Sequence, residues 1–271
     1  MSIYRSSVQF VFLLACLLRP SVSPAETVVV RYPEGVSHGF LVLRTQEGKP
    51  IADGDSTQVA RGDRVTSRMQ FRFKDGSIYE ETTKFSQRGT FRLLSDHLVQ
   101  KGPTFNRPME IMIDATSGQV TVRYTEDGKE KVLSERIQLP PDVANGILFT
   151  VLKNVPRTAS SMTVSYVAAT PKPRIVNLEI IPQGREAFSI GSYNHKAIRY
   201  TVKVKIGGVA GLVAPLVGKQ PPDAQAWVLG DDAPAFVRWD GPLYGDGPIW
   251  RMELAVPAVW PNNAAAIASQ K

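Results

Sequence analysis

Acid–base, nucleophilic or metal chemistry in this 271-residue chain would have to come from three histidines, one cysteine and scattered carboxylates. Asp96 precedes His97, the order of an orienting carboxylate and a base. In "SYNH" Ser192 lies three residues before His195, a hydroxyl beside an imidazole. Nucleophilic catalysis needs hydroxyl, imidazole and carboxylate to converge in space, and neither pair supplies all three. The chain contains no HExxH or GxSxG segment, and His38, His97 and His195 have no metal-ligand spacing. Glu80 and Glu81 are consecutive, so on a strand they face opposite sides and make no carboxylate pair for hydrolysis. Asp231, Asp232, Asp240 and Asp246 offer oxygens to a hard cation. Their spacing fits no EF-hand loop, and their Gly and Pro neighbours are ordinary turn formers. The expectation is a protein with no catalytic residues, no metal and no cofactor.

Binding is the better-supported chemistry. The segment "IGGVAGLVAPLVGKQPPD" has twelve uncharged residues from Gly207 to Gly218, four of them glycine. Its end imitates a phosphate loop, but Val213 stands where the first glycine belongs and Gln220 where Ser or Thr would hold magnesium. Leu212 and Leu216 in this segment suit an apolar flap bordering a pocket. The alternative is a buried connection whose small residues let backbone approach the sheet. Trp227, Trp239 and Trp250 fall close together with Tyr244. They suit either a stacking platform for a ligand or the packing of the last strands.

These residues must be positioned by strands. In "RMQFRFKDGSIYEETTKF" Met69, Phe71 and Phe73 alternate with polar residues, "KDGS" turns the chain, and "IYEETTKF" continues it, predicting a hairpin. Val120, Val122 and Tyr124 precede the turn "EDGK" in the same way, and Val176, Leu178 and Ile180 alternate again. The clearest strand has Ile198, Tyr200, Val202, Val204 and Ile206 against Arg199, Thr201, Lys203 and Lys205. One helix is predicted, with Asp142 as its N-cap and Val143, Ile147, Leu148, Val151 and Leu152 on one face, stopped by Asn154 and Pro156. About a dozen strands in hairpin order exceed what one flat layer holds. The fold class is therefore mainly β: a large, curved antiparallel sheet, half-barrel or sandwich-like, with one covering α-helix.

The first 25 residues have the parts of a secretory signal: Arg5, an apolar run from Val8 to Leu18, and "SVSPA" with small Ser23 and Ala25 before a cut at Glu26. The 11-residue run is shorter than the roughly 20 residues of a membrane-crossing helix. "LLAC" resembles a lipobox, which gives lipidation of Cys16 as the minority alternative to its removal. Cleavage before Glu26 leaves residues 26–256 as one β domain and 257–271 as a tail, with no cysteine and no disulfide framework. Loss of Arg5 and Arg19 leaves 30 basic residues against 25 acidic, a mild excess with no basic block. That pattern and the periplasmic or secreted address exclude nucleic acid as a partner.

The run "FKDGSIYEETTKFSQRGTFRLLSDHLVQKGPTF", with "LPPDVANGILFTVLKN", "IGGVAGLVAPLVGKQPPDAQAWV" and "GPIWRMEL", resembles an uncharacterised family of bacterial exported proteins. The resemblance implies an exported protein and brings no activity with it. In architecture the expected fold is similar to the periplasmic lipoprotein carriers LolA and LolB, which hold acyl chains on a concave sheet under a helical lid. The functional expectation is a non-enzymatic envelope protein with no membrane-spanning segment, binding a lipid or other apolar ligand. Val143, Ile147 and Val151 would form the lid, Leu212 and Leu216 the mouth, and Trp227, Trp239 and Trp250 the platform. The alternatives are a structural adaptor for an envelope protein partner, which needs no cavity, and a hydrolase, which needs two convergent carboxylates in a cleft.

Overall fold

The computed structural model describes residues 27–170, 172–190, 193–206, 221–230, 233–245 and 247–255. Eight strands come first: β1 (Ser37–Arg44), β2 (Pro50–Arg61), β3 (Arg64–Phe73), β4 (Ile78–Ser86), β5 (Arg92–Lys101), β6 (Met109–Asp114), β7 (Gln119–Glu126) and β8 (Lys129–Arg136). After the helix α1 (Leu148–Asn154) come β9 (Met162–Thr170), β10 (Lys172–Ile190), β11 (Tyr193–Lys205), β12 (Ala224–Leu229), β13 (Phe236–Pro242) and β14 (Ile249–Leu254). All belong to one 14-stranded antiparallel sheet in the order β8 to β1, then β14 to β9. Each half is a meander, and β1 joins β14 to weld the halves together, with Leu41 opposite Leu254 and Leu43 opposite Met252.

The alternation read from the sequence sets the register. Phe71 pairs with Tyr79 across the β3–β4 hairpin, and Val122 with Leu133 across β7–β8. The "EDGK" turn works because Asp127 and Gly128 both take positive φ, 52° and 72°, the geometry of a tight hairpin turn.

The sheet curls until its ends overlap without pairing. On β9 Met162, Val164 and Tyr166 face the main core, while Val167 and Ala169 pack on Leu93, Ile111, Ile113, Val120 and Val122 of β5 to β7. The last strand is thus apolar on both faces, as a strand inside a spiral must be. Its outer edge would leave amide groups unpaired. The segment before α1 covers that edge: Ser165 donates its amide to Asp142 at 2.8 Å, and Ala144 donates to the Ser165 carbonyl at 2.9 Å. The Asn145 side chain exchanges two hydrogen bonds with the backbone of Val167, at 2.8 and 3.0 Å. The opposite edge, β8, is exposed and carries Lys129, Lys131, Glu130 and Glu135, charges that discourage pairing with another chain.

This edge cover corrects the sequence reading of the helix. Asp142 caps strand β9 rather than a helix, Gly146 turns the chain at φ +64°, and α1 begins only at Leu148. The helix lies inside the curl, with Thr150, Val151, Leu152 and Asn154 buried. Asn154 anchors it: its side chain accepts from the amides of Arg31 and Tyr32, both at 2.8 Å, and donates to the Thr150 carbonyl. No helix among the described residues is long and apolar enough to cross a membrane.

Candidate functional site

Adjacent strands β1 to β5 place their inward residues in rows. One row runs Leu41, Gly54, Phe71, Tyr79, Gln100. The next is Gly39, Ser56, Met69, Glu81, Leu98, and the third is Ser37, Gln58, Ser67, Thr83, Asp96. The third row is polar at every position, and the second is polar at Ser56 and Glu81. A fourth row, Ala60, Val65, Phe85, Leu93, is apolar again. The inner surface of this half of the sheet therefore carries a polar band between two apolar layers.

A cavity of about 600 Å³ lies against that band. Its polar wall includes Ser56, Gln58, Ser67, Tyr79, Glu81 and Thr83, and Tyr166 of β9 joins them. Leu41, Leu148, Phe149, Phe236, Trp239 and Leu254 supply its apolar lining. The aromatic part of this apolar wall is fixed by stacking: Phe149 lies 4.1 Å from Phe236 between ring centroids, and 5.6 Å from Trp239 edge-on.

The two acidic groupings on the wall are treated differently by the fold. Glu34 meets the ammonium of Lys153 at 2.5 Å and accepts from Gln58 at 2.6 Å. Glu81 and Asp96 face the same side of β4 and β5 as diagonal neighbours, and no ion pair reaches either among the described residues. Thr83 donates to Asp96 at 2.7 Å, and the Tyr79 hydroxyl donates to Glu81 at 3.4 Å. Burial pushes the Asp96 carboxyl up to about 6, against the Thr83 hydrogen bond and the charge of His97, which lower it. Burial and then the charge of Asp96 push Glu81 well above the usual carboxylate range. Burial also raises the hydroxyls of Tyr79 and Tyr166, so both stay protonated.

A hydrolase needs two carboxyls presented to one cleft. Here Glu81 lines the cavity, while Asp96 lies behind it, 4% exposed and covered by the backbone at Gly146. Among the described residues no group of three or more His, Cys, Asp or Glu side chains is placed to hold a metal.

The residues named from sequence are dispersed. Trp239 lines the cavity. Ile147 and Val151 are buried in the main core and Val143 in the second cluster, so they support the wall rather than form a movable lid. Trp250 packs on Phe73 and Tyr244, at 5.5 and 5.9 Å between rings. Trp227 turns to the opposite face of its strand, where it packs with Ala197 and Val237, lies 4.4 Å beneath the Arg238 guanidinium and donates to Glu186. Leu212, Leu216, Ser192, Asp231, Asp232 and Asp246 lie outside the described residues. Asp240 is bound by Arg238 and Arg251, whose guanidiniums outweigh burial and hold its carboxyl below the usual range. Asp96 and His97 point to opposite faces, and His97 bonds Glu110 at 2.7 Å on the exposed one. Glu80 and Glu81 do face opposite sides: Glu80 pairs with Arg68 at 2.8 Å.

No family model matches the chain, and no match is found among curated proteins. Among solved structures the chain is similar to a β-barrel-like protein of a domain of unknown function, DUF1849, from Brucella abortus. The two share 13% identity with a TM-score of 0.42 over 83% of this chain and 98% of that one.

Proposed function

We propose that this chain is a non-enzymatic binding protein of the cell envelope that holds a lipid or other elongated apolar molecule in the cavity enclosed by its curled sheet. The carrying observation is the cavity itself. At about 600 Å³ it has the size of a small-molecule site, one side is aromatic and aliphatic, and the other offers a few polar groups. Affinity would come chiefly from apolar area removed from water, at roughly 25 cal/mol per Å², less the cost of ordering the ligand. The adaptor alternative calls for a filled interior and an available sheet edge. One edge of this sheet is capped by Asp142 and Asn145 and the other is charged. The envelope address rests on the signal-like first 25 residues and the small residues before Glu26.

The test is binding of the fluorescent probe N-phenyl-1-naphthylamine to the purified protein, compared with Met69→Trp. Met69 is half-buried and lines the cavity, so the larger ring fills space without replacing a core side chain. The wild type should bind with a blue-shifted emission, and the variant should lose binding while keeping its far-ultraviolet circular dichroism. A wild type that does not bind, or a variant that binds unchanged, overturns the reading.

A further inference from the structure

The cavity wall specifies more than an apolar ligand. A buried carboxyl normally has a cation beside it, as Glu34 has Lys153 on this same wall. Glu81 and Asp96 have none among the described residues. The basic side chain that acts on Asp96 among the described residues, His97, belongs to the outer face of β5 and is engaged there by Glu110. The rest of the local environment is hydroxyl and ring: Tyr79 and Thr83 from β4, and Tyr166 from β9. Backbone closes the remaining side, since a side chain at Gly146 would come within 1.9 Å of the Thr83 hydroxyl and 2.7 Å of an Asp96 oxygen. The fold thus brings the chain leading to α1 directly over Thr83 and Asp96, admits no side chain there, and leaves Glu81 on the cavity wall.

Two acids with no counter-ion among the described residues, beside two tyrosines on the polar wall of a cavity whose other wall is aromatic and aliphatic, complement a positive charge attached to an apolar body. A carboxylate or phosphate head would meet like charge, and an alcohol head would leave the second acid unmatched. An ammonium can donate to the Glu81 carboxyl, be attracted by the charge of Asp96 behind it and lie against the electron-rich faces of the rings. We propose that the cavity selects amphiphiles with a cationic amine head, the head seated at Glu81 beside Tyr79 and Tyr166 with Asp96 behind it as a positioning charge, and the alkyl chain lying along Leu148, Phe149 and Trp239. This selectivity rests on the cavity-binding reading above. The acids are the part of the site that the fold would otherwise be more stable without: burial disfavours the ionised form of both, and a bound ammonium would offset that cost.

The test is isothermal titration of the full chain at pH 7.5 with three ligands of equal chain length: decylammonium, decanol and decanoate, each below its micelle concentration. Decylammonium should bind at least about tenfold more tightly than decanol, the scale of one charge-assisted hydrogen bond, with decanoate weakest. Glu81→Gln and Asp96→Asn should each reduce the ratio of decylammonium to decanol affinity, Glu81→Gln to within about twofold of parity. Unchanged far-ultraviolet circular dichroism and measurable decanol binding report that each variant keeps its fold and an intact cavity. Decanol or decanoate binding as tightly as decylammonium, or a preference that survives Glu81→Gln, overturns the amine assignment and leaves the cavity reading standing. Failure of all three ligands to bind overturns both.

Discussion

Asp96→Asn exchanges a buried acid for a neutral group of the same shape whose side-chain oxygen can still accept from Thr83, so its effect isolates the charge. In the folded chain burial holds the Asp96 carboxyl near 6, whereas an unhindered aspartate sits at 3.8. Between those values the folded state binds more protons than the unfolded one, so stability falls as pH rises. The contribution is fully present below about 4 and lost once pH passes through about 6. A separation of this size corresponds to roughly 3 kcal/mol, and because Asp96 is only 4% exposed, solvent screening removes little of it. Glu81 acts with the same sign, while exposed acids such as Asp75 and Asp114, held low by hydrogen bonds from Thr104 and Ser117, act with the opposite one. Those groups are common to both proteins, so the difference between wild type and variant is the informative quantity. Urea unfolding at pH 4.5, 6.0 and 7.5 should show Asp96→Asn gaining on the wild type as pH rises, and exceeding it at pH 7.5. A stability difference that stays constant across that range would refute the buried-acid reasoning.

Two further perturbations probe how the sheet ends and the helix are joined. Asn145→Ala removes both hydrogen bonds to Val167 and leaves a buried edge amide unpaired, which should cost about 1–3 kcal/mol in urea unfolding and speed amide exchange at Val167. Gly146→Ala forces a β-carbon to within 1.9 Å of the Thr83 hydroxyl at a backbone angle of +64°. The strained backbone alone is worth about 1–2 kcal/mol, the displacement of Thr83 adds to it, and the loss should appear as a lower thermal midpoint.

The sheet was legible because its signal is local. Period-two alternation and Asp-Gly turns place Met69, Phe71 and Phe73 and the "EDGK" hairpin correctly, and hairpin order alone implies an antiparallel meander. The helix was only half legible. Residues 142–147 share an apolar periodicity with Leu148–Asn154, but they are held by contacts to β9, about twenty residues downstream, that no local pattern announces. The site was missed for a related reason. Glu81, Thr83 and Asp96 sit at positions where alternation calls for apolar residues, and that mismatch was the available signal. Only the register of β4 on β5 turns three isolated exceptions into one polar patch. The conspicuous tryptophans drew attention in the opposite direction, although two of the three serve packing: Trp227 on the outer face and Trp250 against Phe73.

The number of strands also explains why there is a cavity at all. An eight-stranded barrel is just narrow enough for its own side chains to fill, and the interior widens with each added strand. Fourteen strands in one sheet would enclose far more space than inward side chains can occupy. The chain reduces that space in two ways, by curling β9 inside β5 to β7 and by laying α1 within the curl. Both devices act on the same region, because the segment that covers the edge of β9 is the one that delivers α1 to the interior. What remains is bounded by Phe149 of α1, Tyr166 of β9 and the polar band of β2 to β4. Were this remainder only a packing deficit, apolar side chains would be expected on its walls, because an empty space lined by apolar groups costs least. Placing Glu81 on that wall, with Asp96 beneath it and no cation for either among the described residues, increases the cost of leaving the space empty and lowers the cost of filling it with a positively charged guest.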